Sequence, residues 1–178
     1  MHGVLIWATA LSGFWLLMML ARTALLRSPR MASAPRTVTT FDTVWLALST
    51  LQIVLNAAAF AVAFGHPVDI GVVLNVLLGG LLILIGNLFG TLSPNPIIGI
   101  RLPWTMRNRD VWDRTHRTGG RIFILAGMCQ VAVSLLAIGM RPAWRAPSGA
   151  ASLVVFSIAA CIASGVVSWR YARDMEER

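Results

Sequence analysis

Five apolar runs of about twenty residues dictate the solvent of this chain, because an α-helix needs about that many apolar residues to cross the hydrocarbon of a bilayer. The runs are Gly3 to Ala24, Val44 to Phe64, Ile70 to Phe89, Ile122 to Met140 and Gly149 to Trp169. In hydrocarbon each backbone N–H and C=O must be satisfied within the protein, which leaves helices or closed barrels. The uninterrupted apolar stretches select helices. Charged residues make up 12% of the 178 residues, against roughly 25% in soluble domains. The seven acidic residues, Asp42, Asp69, Asp110, Asp113, Asp174, Glu176 and Glu177, all fall outside the long runs. The expected fold is all-α: one membrane domain over residues 1–178, a transmembrane helix bundle of about five spans.

Local signals refine the runs. The first lacks a positively charged leader, so it reads as an anchor rather than a cleaved signal peptide. Thr40 and Asp42 are candidate caps for the second, and Asp69 for the third. Residues 65–69 alone separate these two runs, which predicts a tight antiparallel hairpin. Pro147 and Ser148 mark the start of the fifth.

Every one of the 15 basic residues is an arginine, and their distribution orients the bundle. Arg22, Arg27, Arg30 and Arg36 follow the first run. Arg101, Arg107, Arg109, Arg114, Arg117 and Arg121 lie between the third and fourth, and Arg170, Arg173 and Arg178 after the fifth. With five spans these groups share one side, leaving only Arg141 and Arg145 opposite. Cytoplasmic segments are the arginine-rich ones, so the expectation is a multi-pass protein of the cell membrane, N-terminus outside and C-terminus cytoplasmic. Trp7, Trp45, Trp144 and Trp169 lie near run ends, where aromatic belts form. The net charge of +8 belongs with anionic headgroups, not with nucleic acid as a partner.

Small and polar residues interrupt the apolar runs in patterns. Gly79, Gly86 and Gly90 recur along the third run, with Gly86 and Gly90 as a GxxxG pair. Ser157, Cys161, Ser164 and Ser168 follow one face of the fifth. Such stripes allow close helix approach, expected within one chain, with a homo-oligomer as the alternative. Gln52, Asn56 and Gln130 are expected to hydrogen-bond between helices. Cys129 and Cys161 sit mid-run without CxxC spacing. They are expected to be buried packing residues, with no metal and no cofactor.

The connection 90–121 is too long for a simple bundle loop, which is usually about 2–8 residues. Its first half holds Pro94, Asn95, Pro96, Gly99, Arg101 and Pro103, and the prolines force extended backbone at the residues before them. Ile97, Ile98, Ile100 and Leu102 should pack this stretch onto the bundle, with Asn87 and Asn95 supplying hydrogen bonds. The second half reads as a short interfacial amphipathic helix from Thr105 to Thr118, ended by Gly119 and Gly120. Arg109, Asp113 and Arg117 form one i, i+4, i+8 row and Asp110 and Arg114 another. Trp104, Val111, Trp112 and Thr115 mark a different face. His116 and Arg117, with Asn87 and Asn95, are candidates for a polar pocket that receives an anionic group. Asn95, Arg101 and His116 are expected to converge near the end of the third run. No nucleophile–base pair, metal-ligand spacing or phosphate loop is visible.

This segment resembles the signature of the SdpI family, bacterial multi-pass proteins of immunity to a secreted toxic peptide. The resemblance rests on Gly86-Asn87, Pro94-Asn95, Gly99-Ile100-Arg101, Pro103-Trp104-Thr105, Trp112, Thr115-His116-Arg117 and Gly120, in that order. It implies a non-enzymatic protein of toxin immunity or signal reception. Its partners would be the lipid bilayer, a membrane-active peptide toxin and a cytoplasmic regulator. The ligand- or partner-binding residues would be Asn87, Pro94, Asn95, Gly99, Arg101, Pro103, Trp104, Thr105, Trp112, Thr115, His116 and Arg117. Two other classes stay open on the residues alone. A small transporter or channel subunit would use Gln52, Asn56, Asn75, Asn87 and Gln130 as a polar path. A lipid-headgroup enzyme would use His116 as acid or base.

Overall fold

A computed structural model describes residues 2–27, 35–95 and 98–176. The described chain is helical: α1 (His2–Leu26), α2 (Pro35–Ala63), α3 (Ile70–Phe89), the short α4 (Pro103–Arg107), α5 (Arg109–Leu136) and α6 (Pro142–Glu176), with a 3₁₀ turn at Ala137–Gly139 after α5. Among the described residues, Val38–Ala63, Ile70–Phe89, Arg109–Gly139 and Pro147–Met175 are long and apolar enough to cross a membrane. With the 25-residue α1 the bundle has about five helices of spanning length.

The α2–α3 hairpin is fixed by its ends. Gly65 takes φ 87°, where a side chain would be strained. Its N–H donates to the Val62 carbonyl, and that of His66 donates to the Ala61 carbonyl, both at 3.0 Å. This is a Schellman closure. Asp69 then caps α3, its Oδ1 accepting from the Val72 N–H at 3.2 Å. Thr40 and Asp42 do not cap α2, because that helix already starts at Pro35. Thr40 is buried opposite Thr91, 3.5 Å between hydroxyl oxygens. Asp42 pairs with Arg22 at 2.7 Å, joining α2 to α1.

The centre of the bundle is the antiparallel α3–α5 pair, the most extensive helix interface. Two glycine pairs set its spacing. A Cβ on Gly86 would lie 2.6 Å from the Gly120 carbonyl oxygen, and one on Gly120 2.5 Å from that of Gly86. Gly79 and Gly127 meet in the same way one heptad along. Gly79 and Gly86 therefore pack inside one chain, as the stripe predicts, whereas Gly90 faces open space.

The same contact corrects the expected end of the amphipathic helix. Gly119 and Gly120 terminate nothing; α5 runs through them without a break. Each glycine costs about 1 kcal/mol of helix propensity against alanine, but here it lets two backbones touch. The expected break falls earlier, at Asn108, whose Oδ1 accepts from the Asp110 N–H at 2.8 Å and the Val111 N–H at 3.3 Å. The stretch expected as one amphipathic helix is thus divided into the five-residue α4 and the first three turns of α5. The 28 residues of α5 extend roughly 42 Å at 1.5 Å each. That exceeds a hydrocarbon core of about 30 Å, so α5 is longer than a single perpendicular crossing requires.

Helix α6 packs against α5 along Ala160, Ser164 and Ser168, all buried. This row steps by four and leaves Cys161 outside it. Cys161 and Cys129 are both exposed on the bundle surface, which corrects their expected burial. α6 also begins before Pro147, which sits inside it. At the end of the bundle away from α4, Gln130 bridges three helices. Its Nε2 donates to Asn75 Oδ1 at 2.8 Å and to the Gly149 carbonyl at 3.3 Å.

Candidate functional site

The residues between α3 and α5 form a folded knot rather than a loop. Its base is apolar: Phe89, Leu92 and Trp112 are buried together, with Ile85, Ile98, Ile100 and Phe123 against them. Trp112 is 0% exposed, and its indole N–H donates to the Leu92 carbonyl at 2.9 Å. One side chain of α5 thus covers the apolar base and also satisfies a carbonyl just past the end of α3.

His116, one turn further and 1% exposed, stacks on Trp112 at 4.0 Å between ring centroids. Phe89 meets its edge at 5.5 Å. Both ring nitrogens are engaged. Nδ1 lies 2.9 Å from the Trp112 carbonyl, an acceptor only, so Nδ1 carries the hydrogen. Nε2 accepts from the Ile100 N–H at 2.9 Å. This pattern requires the neutral ring with its proton on Nδ1.

Gly99 makes room for that contact. It has φ 123°, and a Cβ there would run into His116 Nε2 and the Trp112 ring. Conformation and space both demand glycine. Asn95 folds the preceding turn: its Oδ1 accepts from the Ile98 N–H at 2.8 Å, and its Nδ2 donates to the Ser93 carbonyl at 2.8 Å and the Ile98 carbonyl at 3.1 Å. A buried amide here does the work of a missing strand partner.

Thr105 closes the far side. Its hydroxyl accepts from the Leu102 N–H at 2.9 Å and lies 2.9 Å from the carbonyls of Ile100 and Leu102. Pro103 opens α4 at its first position, where a missing N–H costs nothing. The knot is then tied to α6 at Ser168, whose hydroxyl accepts from the Trp104 indole N–H at 2.8 Å and the Thr115 hydroxyl at 3.1 Å.

The structure therefore brings together Asn95, Gly99, Trp104, Thr105, Trp112, Thr115 and His116, with Pro103 at the margin. Pro94 is exposed at the turn's edge, and Asn87 is exposed on α3. Arg101 is exposed as well; it does not join Asn95 and His116, which hold the same short stretch of chain from two sides. Pro96 and Ile97 lie outside the described residues. Arg117 is exposed and lines a recess beside the knot. With Arg109, Asp113 and hydroxyls of α2 it lines a cavity of about 760 Å³ whose floor includes His116. Sequence reasoning treats Arg109, Asp113 and Arg117 as a self-paired row, but no salt bridge closes among them. Ser168, Asn108 and the wall of α2 are the parts it misses. Only Asn108 carried a local signal, an N-cap residue one place before a helix.

Fold and knot together define a class: a multi-helix membrane protein whose long inter-span segment is folded onto the arginine-rich end of the bundle. Residues 91–169 match the model of the SdpI/YfhL protein family. It is also similar to the Immunity protein SdpI of Bacillus subtilis (strain 168), 26% identical over 84 residues. The matched stretch is 47% of this chain and 41% of that relative, so the likeness covers less than half of either. No solved structure matches the chain.

Proposed function

We propose that this protein gives its cell resistance to a membrane-active peptide toxin, as a non-enzymatic membrane protein of the immunity type whose working part is the segment 92–118. The observation that carries the reading is the closure of the knot. Asn95, Thr105, Trp112, Thr115 and His116 spend their polar groups on the fold itself. Those residues build a surface and leave recognition to the side chains around them. An acid–base role for His116 would need one free ring nitrogen within reach of a substrate proton, and both nitrogens are taken.

In this reading the termini lie as the arginines imply, N-terminus outside and C-terminus in the cytoplasm. The exposed Arg101, Arg107 and Arg114 then face the cytoplasm, where a regulator would meet them, and a peptide toxin would be met within the bilayer. The test is expression in a toxin-sensitive bacterial strain challenged with a panel of membrane-active peptides. Growth under at least one peptide, lost in a knot variant of unchanged membrane abundance, is the expected result. Sensitivity equal to the empty-vector strain for every peptide, with the protein present in the membrane, would overturn it.

A further inference from the structure

The recess beside the knot has a composition the immunity reading does not use. It lies where three spanning helices begin or end: the first turns of α2 (Thr39, Thr43), the last turn of α3 and the first turns of α5. Its volume, about 760 Å³, is in the usual range for a small-molecule site, about 300–1,000 Å³. Leu88 and Phe89 form its apolar wall. Arg109 and Arg117 stand two turns apart on α5 with Asp113 between them, and neither arginine pairs with the aspartate.

We propose that this recess binds the phosphoethanolamine headgroup of a membrane phospholipid, with Arg109 and Arg117 on the phosphate and Asp113 on the ammonium. An arginine fork matches phosphate oxygens with two parallel N–H donors. Two cations and one anion in a single lining match a headgroup bearing one charge of each sign. A purely anionic headgroup would meet Asp113 as a repulsive charge, and a choline headgroup has no N–H to give it. The apolar wall favours a lipid over a free phosphate compound, because the glycerol and the first methylenes of the chains would lie against Leu88 and Phe89. Thr39 and Thr43 of α2 complete the lining, the Thr43 hydroxyl donating to the Thr39 carbonyl at 2.9 Å. His116, buried and fully bonded, is floor and not ligand.

The test is native mass spectrometry of the full chain released from membranes of equal phosphatidylethanolamine, phosphatidylglycerol and phosphatidylcholine content. The wild type should retain phosphatidylethanolamine preferentially. Loss of a charge-assisted contact lowers affinity by about tenfold or more, so the double variant Arg109→Gln/Arg117→Gln should retain that lipid about tenfold less. The double variant Arg114→Gln/Arg121→Gln removes the same charge from exposed positions outside the recess and should leave retention unchanged. Asp113→Asn should shift preference from phosphatidylethanolamine towards phosphatidylglycerol. That ratio is read within one sample and does not depend on the folded fraction. O-phosphoethanolamine added without lipid separates the two sources of this chemistry. Competition only at large excess supports the lipid; binding as tight as the lipid's supports the headgroup chemistry with a soluble ligand. Equal retention by wild type and Arg109→Gln/Arg117→Gln, an equal fall in both double variants, or an unchanged ratio in Asp113→Asn would overturn the proposal.

Discussion

His116 is the residue on which the segment turns. It accepts the Ile100 N–H, donates to the Trp112 carbonyl and fills the space between Trp112 and Phe89. Truncation to alanine leaves a buried N–H without an acceptor, which costs about 1–3 kcal/mol, and opens a cavity beside Trp112. The expected outcome is a fall in melting temperature of the detergent-solubilised protein; an unchanged value would mean the contact carries no stability. Gly99→Ala should be as damaging, because it adds backbone strain of about 1–3 kcal/mol to an overlap with His116 and Trp112. Arg101→Ala, at an exposed site, should leave stability within about 0.5 kcal/mol, so any loss of protection there would report a partner contact. At this scale the sequence was partly legible. Asn95 between two prolines announces a fixed turn, and a histidine one turn after a tryptophan marks a helix face. Arg101 was not legible, because a stem between apolar neighbours does not reveal whether the guanidinium turns in or out.

At the scale of elements, glycine decides the packing. Gly120→Val should separate α3 from α5, since a Cβ would press on the Gly86 carbonyl; overpacking of this kind costs about 1–3 kcal/mol. Gly90→Ala meets open space and should be neutral. Thermal unfolding followed by near-ultraviolet circular dichroism distinguishes them, and equal midpoints would refute the close approach. Helix α3 was readable to its ends, because Asp69 caps it and a proline-rich turn follows it. α5 was not, because a Gly-Gly pair signals a helix end locally and becomes a contact surface only when a partner glycine lies opposite. The information that reverses the local preference sits in Gly86, more than thirty residues away in sequence. The same holds for Cys161: spacing alone places it on the stripe, whereas the choice of buried row depends on which side of α6 faces α5.

At the scale of the whole molecule, the bilayer sets the design. The arginine-rich ends of α5 and α6 carry the knot and the recess, and the opposite end is held by the Asn75–Gln130–Gly149 bridge. We expect Arg107→Cys to be labelled from the cytoplasm and Gly139→Cys from outside, in a background with Cys129 and Cys161 replaced. The reverse pattern would invert the proposed topology. Composition was sufficient to read the class of fold, because five apolar runs admit few alternatives. It was insufficient for the site, because the walls of the recess come from α2, α3 and α5, which meet only when the bundle is assembled.

The most direct test is hydrogen–deuterium exchange of the full chain in lipid nanodiscs, followed over residues 98–105. A segment without regular strands and lying between two spans would ordinarily exchange within seconds as solvated loop. Held by Asn95, His116, Thr105 and Ser168, its amides at Ile98, Ile100 and Leu102 should instead exchange slowly, approaching the protection of α5. His116→Ala should release Ile100 first. Exchange at the rate of a free loop in the wild type, or protection unaffected by loss of His116, would contradict the account.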